Sequence, residues 1–199
     1  MMTQFSTSAP GAMVTCRNRM LSLTLPSSIQ PSAARQLAIW RDQGRDDLYL
    51  SVNISVQDQY YLDVYDVFTR LVEKYDLDPH KLKLEITETL FVTEMENHRY
   101  MLERLQAYGF EIEIDDFGSG YSSLNILKDI KADVIKIDME FLQETVNVDR
   151  SWSILSALIR LIGQLHMDVI TEGVETEEQV EALAQMGCQH FQGYYFCRP

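Results

Sequence analysis

The chain of 199 residues carries 30 acidic side chains against 17 lysines and arginines, which gives a formal net charge of −13. This balance excludes broad electrostatic binding to DNA or RNA polymers, because such binding needs a basic face. A small anionic ligand stays compatible with it, since a bound metal ion reverses the local sign of the charge. The hydrophobic fraction of 46% is enough for the core of one globular domain.

The pattern of cysteines and the shortness of the apolar runs are typical of a protein of the cytoplasm. Cys16, Cys188 and Cys197 form no metal-binding pattern, and free thiols are typical of a reducing compartment. No apolar run reaches the length needed to cross a membrane, and the first residues show no basic region followed by an apolar stretch. We therefore expect neither a membrane segment nor a signal peptide in this chain.

Two regions differ in pattern. Residues 1–33 are rich in Ser, Thr and Pro without a sustained period, which predicts an atypical, poorly ordered N-terminal segment ahead of one domain at 34–199. From Ala34 the period of the apolar residues alternates between that of a helix and that of a strand. In chain order the pattern predicts a helix at 34–43, a strand at 48–55, a helix at 64–75, a strand at 81–87, a helix at 94–108, a strand at 110–115, a helix at 122–131, a strand at 133–138, a helix at 154–165, a strand at 167–172, a helix from Thr176 to Gly187 and a strand at 188–196. Thr176 and Gln179 have the spacing of a capping box at the start of the last helix.

Six strands separated by helices predict right-handed βαβ units and a parallel sheet. The preferred fold is therefore α/β, a TIM-like (β/α) barrel. An open doubly wound sheet is the alternative. It is disfavoured because the chain contains no G-x-G-x-x-G or Walker-type phosphate loop.

The predicted strands alternate between apolar and polar residues, although parallel strands are usually apolar on both faces. In the strands at 81–87 and 110–115 the polar positions are Lys83, Glu85, Thr87, Glu111, Glu113 and Asp115. If the apolar face meets the helices, the polar face points into the barrel, where charge must be paired or bind a metal. We expect Lys83 and Glu113 to form a structural ion pair there rather than to take part in catalysis.

Polar residues also end the strands at the carboxyl edge, where barrels of the TIM type carry their active sites. They are Asn53, Glu85, Asp115, Asp116, Lys136, Asp138, Glu172 and Gln192. The spacing between successive members is about one βα unit, so we expect them around one mouth. Carboxylates gathered there would repel one another, and a divalent cation relieves that repulsion. Oxygen ligands without His or Cys favour Mg²⁺ or Mn²⁺.

Six motifs, SVNIS, LEITET, DDFGSGYSSL, VIKID, TEGVET and QGYYF, together resemble the EAL domain family in order and spacing. The resemblance covers roughly residues 34–199. It implies a modified TIM barrel that hydrolyses the bacterial second messenger cyclic di-GMP to linear pGpG with two Mg²⁺ or Mn²⁺ ions. Such a domain is a hydrolase, a cyclic-di-GMP phosphodiesterase.

The resemblance also implies roles for individual residues. The metal ligands it implies are Asn53, Glu85, Asp115 and Asp116, with Asp115 bridging the two ions. The catalytic residues it implies are Lys136, Glu172 and Glu175, of which Lys136 offsets phosphate charge and Glu172 is the general base. Asp138 and Gln192 resemble substrate contacts. Glu88 resembles the anchor of the mobile loop at 117–123.

One departure from the family concerns its name motif. No Glu-Ala-Leu tripeptide precedes Asn53, and the string at 181–183 lies in a predicted helix. We therefore expect an N-terminally incomplete domain that lacks the strand of that motif and its helix, with impaired hydrolysis by the chain as given. The alternatives are a catalytically inactive receptor for cyclic di-GMP and a protein-interaction module.

The partners implied by the resemblance are cyclic di-GMP itself and a second copy of the domain in a homodimer. The chain is also expected to be the cytoplasmic part of a larger bacterial signalling protein with sensor or GGDEF domains.

Overall fold

The computed structural model describes residues 30–54, 63–88, 90, 95–118, 123–139 and 148–196. These residues form two compact units. The first contains the described residues of 30–115 and 123–132, and the second contains 116–118 and those of 133–196. Most of the segment predicted to be poorly ordered, together with Cys16 and Cys197, lies outside the described residues. No helix within these described ranges is long and apolar enough to cross a membrane.

The first unit alternates helices with three parallel strands. In chain order its elements are α1 (Gln30–Asp42), β1 (Leu50–Ile54), α2 (Val64–Tyr75), a 3-10 turn (Pro79–Lys81), β2 (Leu82–Thr87), α3 (Met95–Tyr108), β3 (Ile112–Asp115) and α4 (Ser123–Asp129). Strand β2 lies between β1 and β3 and is parallel to both. The predicted parallel pairing of these strands is confirmed.

The second unit repeats the same plan. Its elements are β4 (Val134–Asp138), α5 (Val148–Gln164), β5 (Asp168–Glu172), α6 (Glu177–Gln185) and β6 (His190–Phe191). Strand β5 is parallel to β4 on one side and to β6 on the other. The amino end of α6 has the predicted capping box, because Thr176 Oγ1 accepts from Gln179 N–H and the Gln179 side chain accepts from Thr176 N–H.

Helix α2 shows how local sequence sets the limits of an element. The Asp63 side chain accepts from the Asp66 amide and caps the amino end, and Asp76 adopts the left-handed conformation (φ 51°) that closes the carboxyl end. Between them Val64, Phe68 and Val72 recur at the helical period and are buried. Both predicted limits of this helix agree with the structure.

The core of each unit consists of the apolar faces of its strands and the buried stripes of its helices. Fully buried strand residues are Leu82, Leu84, Ile86, Ile112, Ile114 and Ile135. Removing such side chains from water contributes roughly 1.5–3 kcal/mol each. This burial fixes which face of each strand holds the polar residues.

Three predicted limits differ from the structure by four residues or more. Helix α1 begins at Gln30, inside the segment predicted to be poorly ordered, and packs Ala33 and Ala34 into the core. Helix α5 begins at Val148, six residues before the predicted start. The last predicted strand, at 188–196, is only His190–Phe191, because a turn follows in which Phe196 N–H donates to the Gly193 carbonyl.

Cys188, which follows α6, is a free thiol, as predicted, and it is buried. Its sulfur lies 3.3 Å from the His190 carbonyl oxygen and 3.7 Å from Thr171 Oγ1. Burial raises the pKa of the Cys188 thiol above its ordinary value.

We expect Cys188 to resist alkylation in the folded protein at neutral pH, because the reactive thiolate is both scarce and enclosed. Peptide mass spectrometry after iodoacetamide treatment measures this directly. The same treatment in concentrated urea should label the residue fully, and rapid labelling without urea would contradict its buried position.

Candidate active site

The polar face of the first unit is formed by alternate residues of its three strands. The pairing register places Asn53 beside Glu85, and Glu85 beside Glu113, at one level of the sheet. Residues in register on parallel strands project to the same face. Two residues further along, Asp115 pairs with Thr87 and lies one level nearer the carboxyl ends. The predicted ligands Asn53, Glu85 and Asp115 therefore share one face at neighbouring positions.

The predicted ion pair joins Glu113 to Lys83, which lies one level nearer the amino ends of the strands. The lysine Nζ is 3.4 Å from Glu113 Oε1 and 2.6 Å from Glu111 Oε2. Ser51 Oγ donates to Glu113 Oε2 at 2.9 Å. The predicted contact between Lys83 and Glu113 is confirmed, while the second acidic partner and the serine were not predicted.

The donors of this face suit a hard divalent cation in type. Asn53 offers an amide oxygen, and Glu85 and Asp115 offer carboxylates, which are the ligands that Mg²⁺ and Mn²⁺ prefer. Across the described ranges, no three His, Cys, Asp or Glu side chains are grouped closely enough to hold a metal by themselves.

In the second unit the central feature is the ion pair of Lys136 with Glu172. Lys136 lies on β4 and Glu172 ends β5, where it pairs with Asp138 in the register. Lys136 Nζ is 2.9 Å from Glu172 Oε1, and the lysine side chain is 0% exposed whereas the glutamate is 17% exposed. The structure thus brings together two of the three residues predicted to be catalytic.

The turn after β3 holds Asp116 in an uncommon conformation. Asp116 has a φ of 54°, in the left-handed region that aspartate tolerates better than most residues. The next amide, of Phe117, donates to the Lys136 carbonyl at 3.0 Å, and the Phe117 side chain is buried. Asp116 is therefore fixed next to the strand that carries Lys136, and its own side chain is exposed.

Gly173 leaves space for Asp138, the predicted substrate contact on β4. Gly173 has a φ of 74°, and a β-carbon there would lie 3.2 Å from Asp138 Oδ1. A side chain at this position would be strained by the backbone conformation and crowded by the carboxylate. The glycine after Glu172 thus permits Asp138 and β5 to approach closely.

A second close approach, here called the Val174 clasp, joins residues 173–175 to residues 192–195. Val174 N–H donates to the Gln192 carbonyl at 3.0 Å, and Tyr195 N–H donates to the Val174 carbonyl at 3.1 Å. Gln192 N–H also donates to the Thr171 carbonyl at 2.8 Å. The clasp fixes the backbone of Gln192, the second predicted substrate contact, next to the end of β5.

Two other predicted site residues differ in exposure to solvent. Glu175 is exposed, and its amide donates to Gln179 Oε1 at 2.7 Å at the start of α6. Glu88 is buried directly after β2. Most of the loop that Glu88 was predicted to anchor, residues 119–122, lies outside the described residues.

The clasp was the part of this site that sequence reasoning missed. Its signal is Gly193, because a β-carbon there would lie 2.1 Å from the Val174 carbonyl oxygen. A glycine next to a predicted substrate contact indicates close approach of another backbone segment. The sequence contained this signal, but it did not identify the partner segment.

Parallel strands with acidic, amide and lysine side chains towards their carboxyl ends are typical of α/β enzymes of the barrel type. The sequence profile of the EAL domain matches residues 13–199. The chain belongs to the EAL domain family. The match begins earlier than residue 34, from which the motif resemblance was traced.

Relatives and solved structures agree with this family. The bifunctional diguanylate cyclase/cyclic di-GMP phosphodiesterase MucR of Pseudomonas aeruginosa is 37% identical over 167 residues, which cover 84% of this chain and 24% of MucR. The solved PaMucR phosphodiesterase in complex with c-di-GMP has a TM-score of 0.77 at 36% identity, covering 86% of this chain and 69% of that one. This chain therefore spans about a quarter of the length of the relative.

Two further solved structures show the same fold. The EAL domain of Mycobacterium smegmatis DcpA has a TM-score of 0.78 at 31% identity, covering 86% of this chain and 77% of that one. A manganese/cy-diGMP complex of Klebsiella pneumoniae BlrP1 has a TM-score of 0.74 at 29% identity, covering 86% and 44%. The predicted TIM-like α/β fold of the EAL type is confirmed.

Proposed function

We propose that this chain binds cyclic di-GMP and hydrolyses it to linear pGpG with the help of two Mg²⁺ or Mn²⁺ ions. Family membership supports the proposal, together with the similarity to MucR, a bifunctional diguanylate cyclase/cyclic di-GMP phosphodiesterase. The observation that carries it is the pair of Lys136 and Glu172, 2.9 Å apart. A buried ion pair is weak evidence for stability, because the cost of removing both charges from water offsets their attraction. The position of Lys136 and Glu172 on the neighbouring strands β4 and β5, near their carboxyl ends, favours a role in catalysis.

The roles follow from the chemistry of each group. Hydrolysis forms one bond from phosphorus to a water oxygen and breaks one P–O bond of the ring, and the ring oxygen leaves as a hydroxyl group after taking a proton from solvent. Glu172, the partly exposed member of the pair, would accept the proton of the attacking water. Lys136 would stabilise negative charge on the phosphoryl oxygens. Asp138 and Gln192 would contact the substrate, and Glu175 would assist as the second acidic residue of its motif.

Asn53, Glu85, Asp115 and Asp116 would hold the divalent ions through oxygen atoms. The manganese complex of BlrP1 supports this choice of metal class. When bound, such ions supply Lewis acidity that makes water a nucleophile at neutral pH and offsets phosphate charge. The register of β1, β2 and β3 keeps Asn53, Glu85 and Asp115 at fixed positions. Glu88 would anchor the loop at 117–123.

We further propose that hydrolysis by this chain is slow. No glutamate precedes Glu73 in the sequence, so the acidic residue of a Glu-Ala-Leu motif is not supplied by residues 1–72. Fewer carboxylate ligands weaken the binding of divalent ions. We also propose that the chain works within a larger signalling protein with sensor or GGDEF domains, because MucR is about four times as long as this match. The proposal of a homodimer rests on family membership alone.

The test separates binding from turnover. We expect the 199-residue chain with Mn²⁺ to form linear dinucleotide slowly, as measured by chromatography. The Asp115→Asn variant should form about a hundredfold less, because the loss of a ligand would misplace the reacting groups. Calorimetry with cyclic di-GMP is measured in parallel. If the chain binds cyclic di-GMP but forms no product, it is a receptor rather than an enzyme. If it neither binds cyclic di-GMP nor forms product, only the role of an interaction module is left.

A further inference from the structure

Two buried glutamates occupy neighbouring positions on the polar face of the first unit. Glu85 on β2 and Glu113 on β3 are partners in the register, and both are 0% exposed. Neighbouring strands are about 4.8 Å apart, so two ionised carboxylates at these positions repel each other strongly. A cation site at this level would attract both groups unless one of them is held elsewhere.

Glu113 is held towards the amino ends of the strands. Its Oε2 accepts from Ser51 Oγ at 2.9 Å, and its Oε1 lies 3.4 Å from Lys83 Nζ. Ser51 and Lys83 are each two residues before the members of the Asn53–Glu85 level on their own strands. The carboxylate of Glu113 thus points away from the level that leads to Asp115.

Lys83 is itself fixed on several sides. Its Nζ lies 2.6 Å from Glu111 Oε2 and 4.3 Å from the centre of the Tyr49 ring. The lysine side chain is 13% exposed, so water screens these contacts little. Glu111 is thus the nearer acidic partner, which fixes the ammonium group at the amino ends of the strands, and Glu113 is attracted to it over 3.4 Å.

We infer that Lys83 is a positioning residue that draws Glu113 out of the proposed cation site and offsets part of its charge, so that Glu85 serves as the ligand at this level. This inference rests on the proposed function, because it assumes that a divalent cation binds on this face. It assigns to Lys83 and Glu113 an effect on metal affinity beyond the structural pairing already described.

The charges predict effects of opposite sign for two single substitutions. Lys83→Met removes a positive charge and releases Glu113, so we expect Mn²⁺ to bind about tenfold more tightly. Glu113→Gln removes a negative charge and leaves Lys83 with Glu111, so Mn²⁺ should bind several-fold more weakly. The double variant loses both charges and should return to within about twofold of the wild-type affinity. Lys83→Arg keeps the charge and should resemble wild type.

If Lys83 had only a structural role, Lys83→Met would lower the unfolding temperature without raising the affinity for Mn²⁺. Lys83→Met leaves a buried carboxylate without its counter-ion, so its unfolding temperature should fall even as its Mn²⁺ affinity rises. If Lys83→Met does not fold, the Lys83→Met/Glu113→Gln double variant is compared with Glu113→Gln instead. The double variant should then bind Mn²⁺ more tightly than Glu113→Gln.

The experiment titrates the 199-residue chain with Mn²⁺ alone, follows free Mn²⁺ by electron paramagnetic resonance and records thermal unfolding with and without the ion. Weaker binding by both single variants, or equal binding by all, would overturn the role of Lys83. Absence of wild-type binding, or binding that Glu85→Gln does not change, would instead overturn the cation site of the proposed function.

Discussion

Replacing Glu172 by glutamine should reduce the rate of cyclic di-GMP hydrolysis by about a thousandfold, because the proposed proton acceptor is lost while its shape is kept. Glu172 Oε1 lies 2.9 Å from Lys136 Nζ at the end of β5, where the backbone is fixed by its pairing with β4. The measurement is linear dinucleotide formed per minute with Mn²⁺ and saturating substrate. Substrate binding, measured separately, should change by only a few-fold.

The interpretation depends on controlling stability. Lys136 is fully buried, and a buried charge that loses its partner costs about 3–5 kcal/mol. The glutamine oxygen still accepts a hydrogen bond, so the loss in Glu172→Gln should be smaller. A Lys136→Met/Glu172→Gln double variant should recover stability without recovering rate. Glu181→Gln, exposed on α6, is the matched control for the loss of one glutamate charge.

One result would contradict this assignment. If Glu172→Gln is folded and keeps the wild-type rate, the proton goes to another group, and the buried pair is only structural. A variant that loses rate solely in proportion to its unfolded fraction would lead to the same conclusion.

The fold could be predicted where local chemistry defines the limits of an element. Helix α2 agreed at both ends because Asp63 and Asp76 terminate a regular apolar stripe. Helix α5 was predicted too short because its first residues, Val148, Asp149 and Arg150, are exposed and give no apolar signal. The predicted final strand was too long because a tertiary contact, the Val174 clasp, bends the chain after Phe191.

The site was predictable in composition but not in register. A period of two residues assigns Glu85, Glu113 and Asp115 to one face of their strands, and the structure agrees. The offset between strands does not follow from the period within one strand. For that reason the hydrogen bond from Ser51 to Glu113, which crosses two strand spacings, appears only in the structure. Lys136 and Glu172 are likewise 36 residues apart in the sequence and adjacent in space.

Replacing Gly193 by alanine should lower the free energy of unfolding by about 3 kcal/mol and abolish most activity. The added methyl group would lie 2.1 Å from the Val174 carbonyl oxygen and 2.3 Å from its nitrogen, closer than van der Waals contact permits. The clasp must open, which breaks two backbone hydrogen bonds worth about 1 kcal/mol each and strains the surrounding packing. For a chain of this size the unfolding temperature should fall by roughly 6–12 °C.

The effect on activity should exceed the effect on the folded fraction, because the clasp fixes Gln192 next to the strand end that carries Glu172. A displacement of about 1 Å can cost a hundredfold in rate. Gly163→Ala is the matched control: no atom lies within 4 Å of a β-carbon there, and alanine in helix α5 should leave stability unchanged or raise it by up to about 1 kcal/mol. Thermal unfolding and initial rates are measured on both variants. Equal stability of the two would show that the backbone at 193 is not confined by Val174, and full activity of a destabilised Gly193→Ala would show that the clasp does not position the substrate contact.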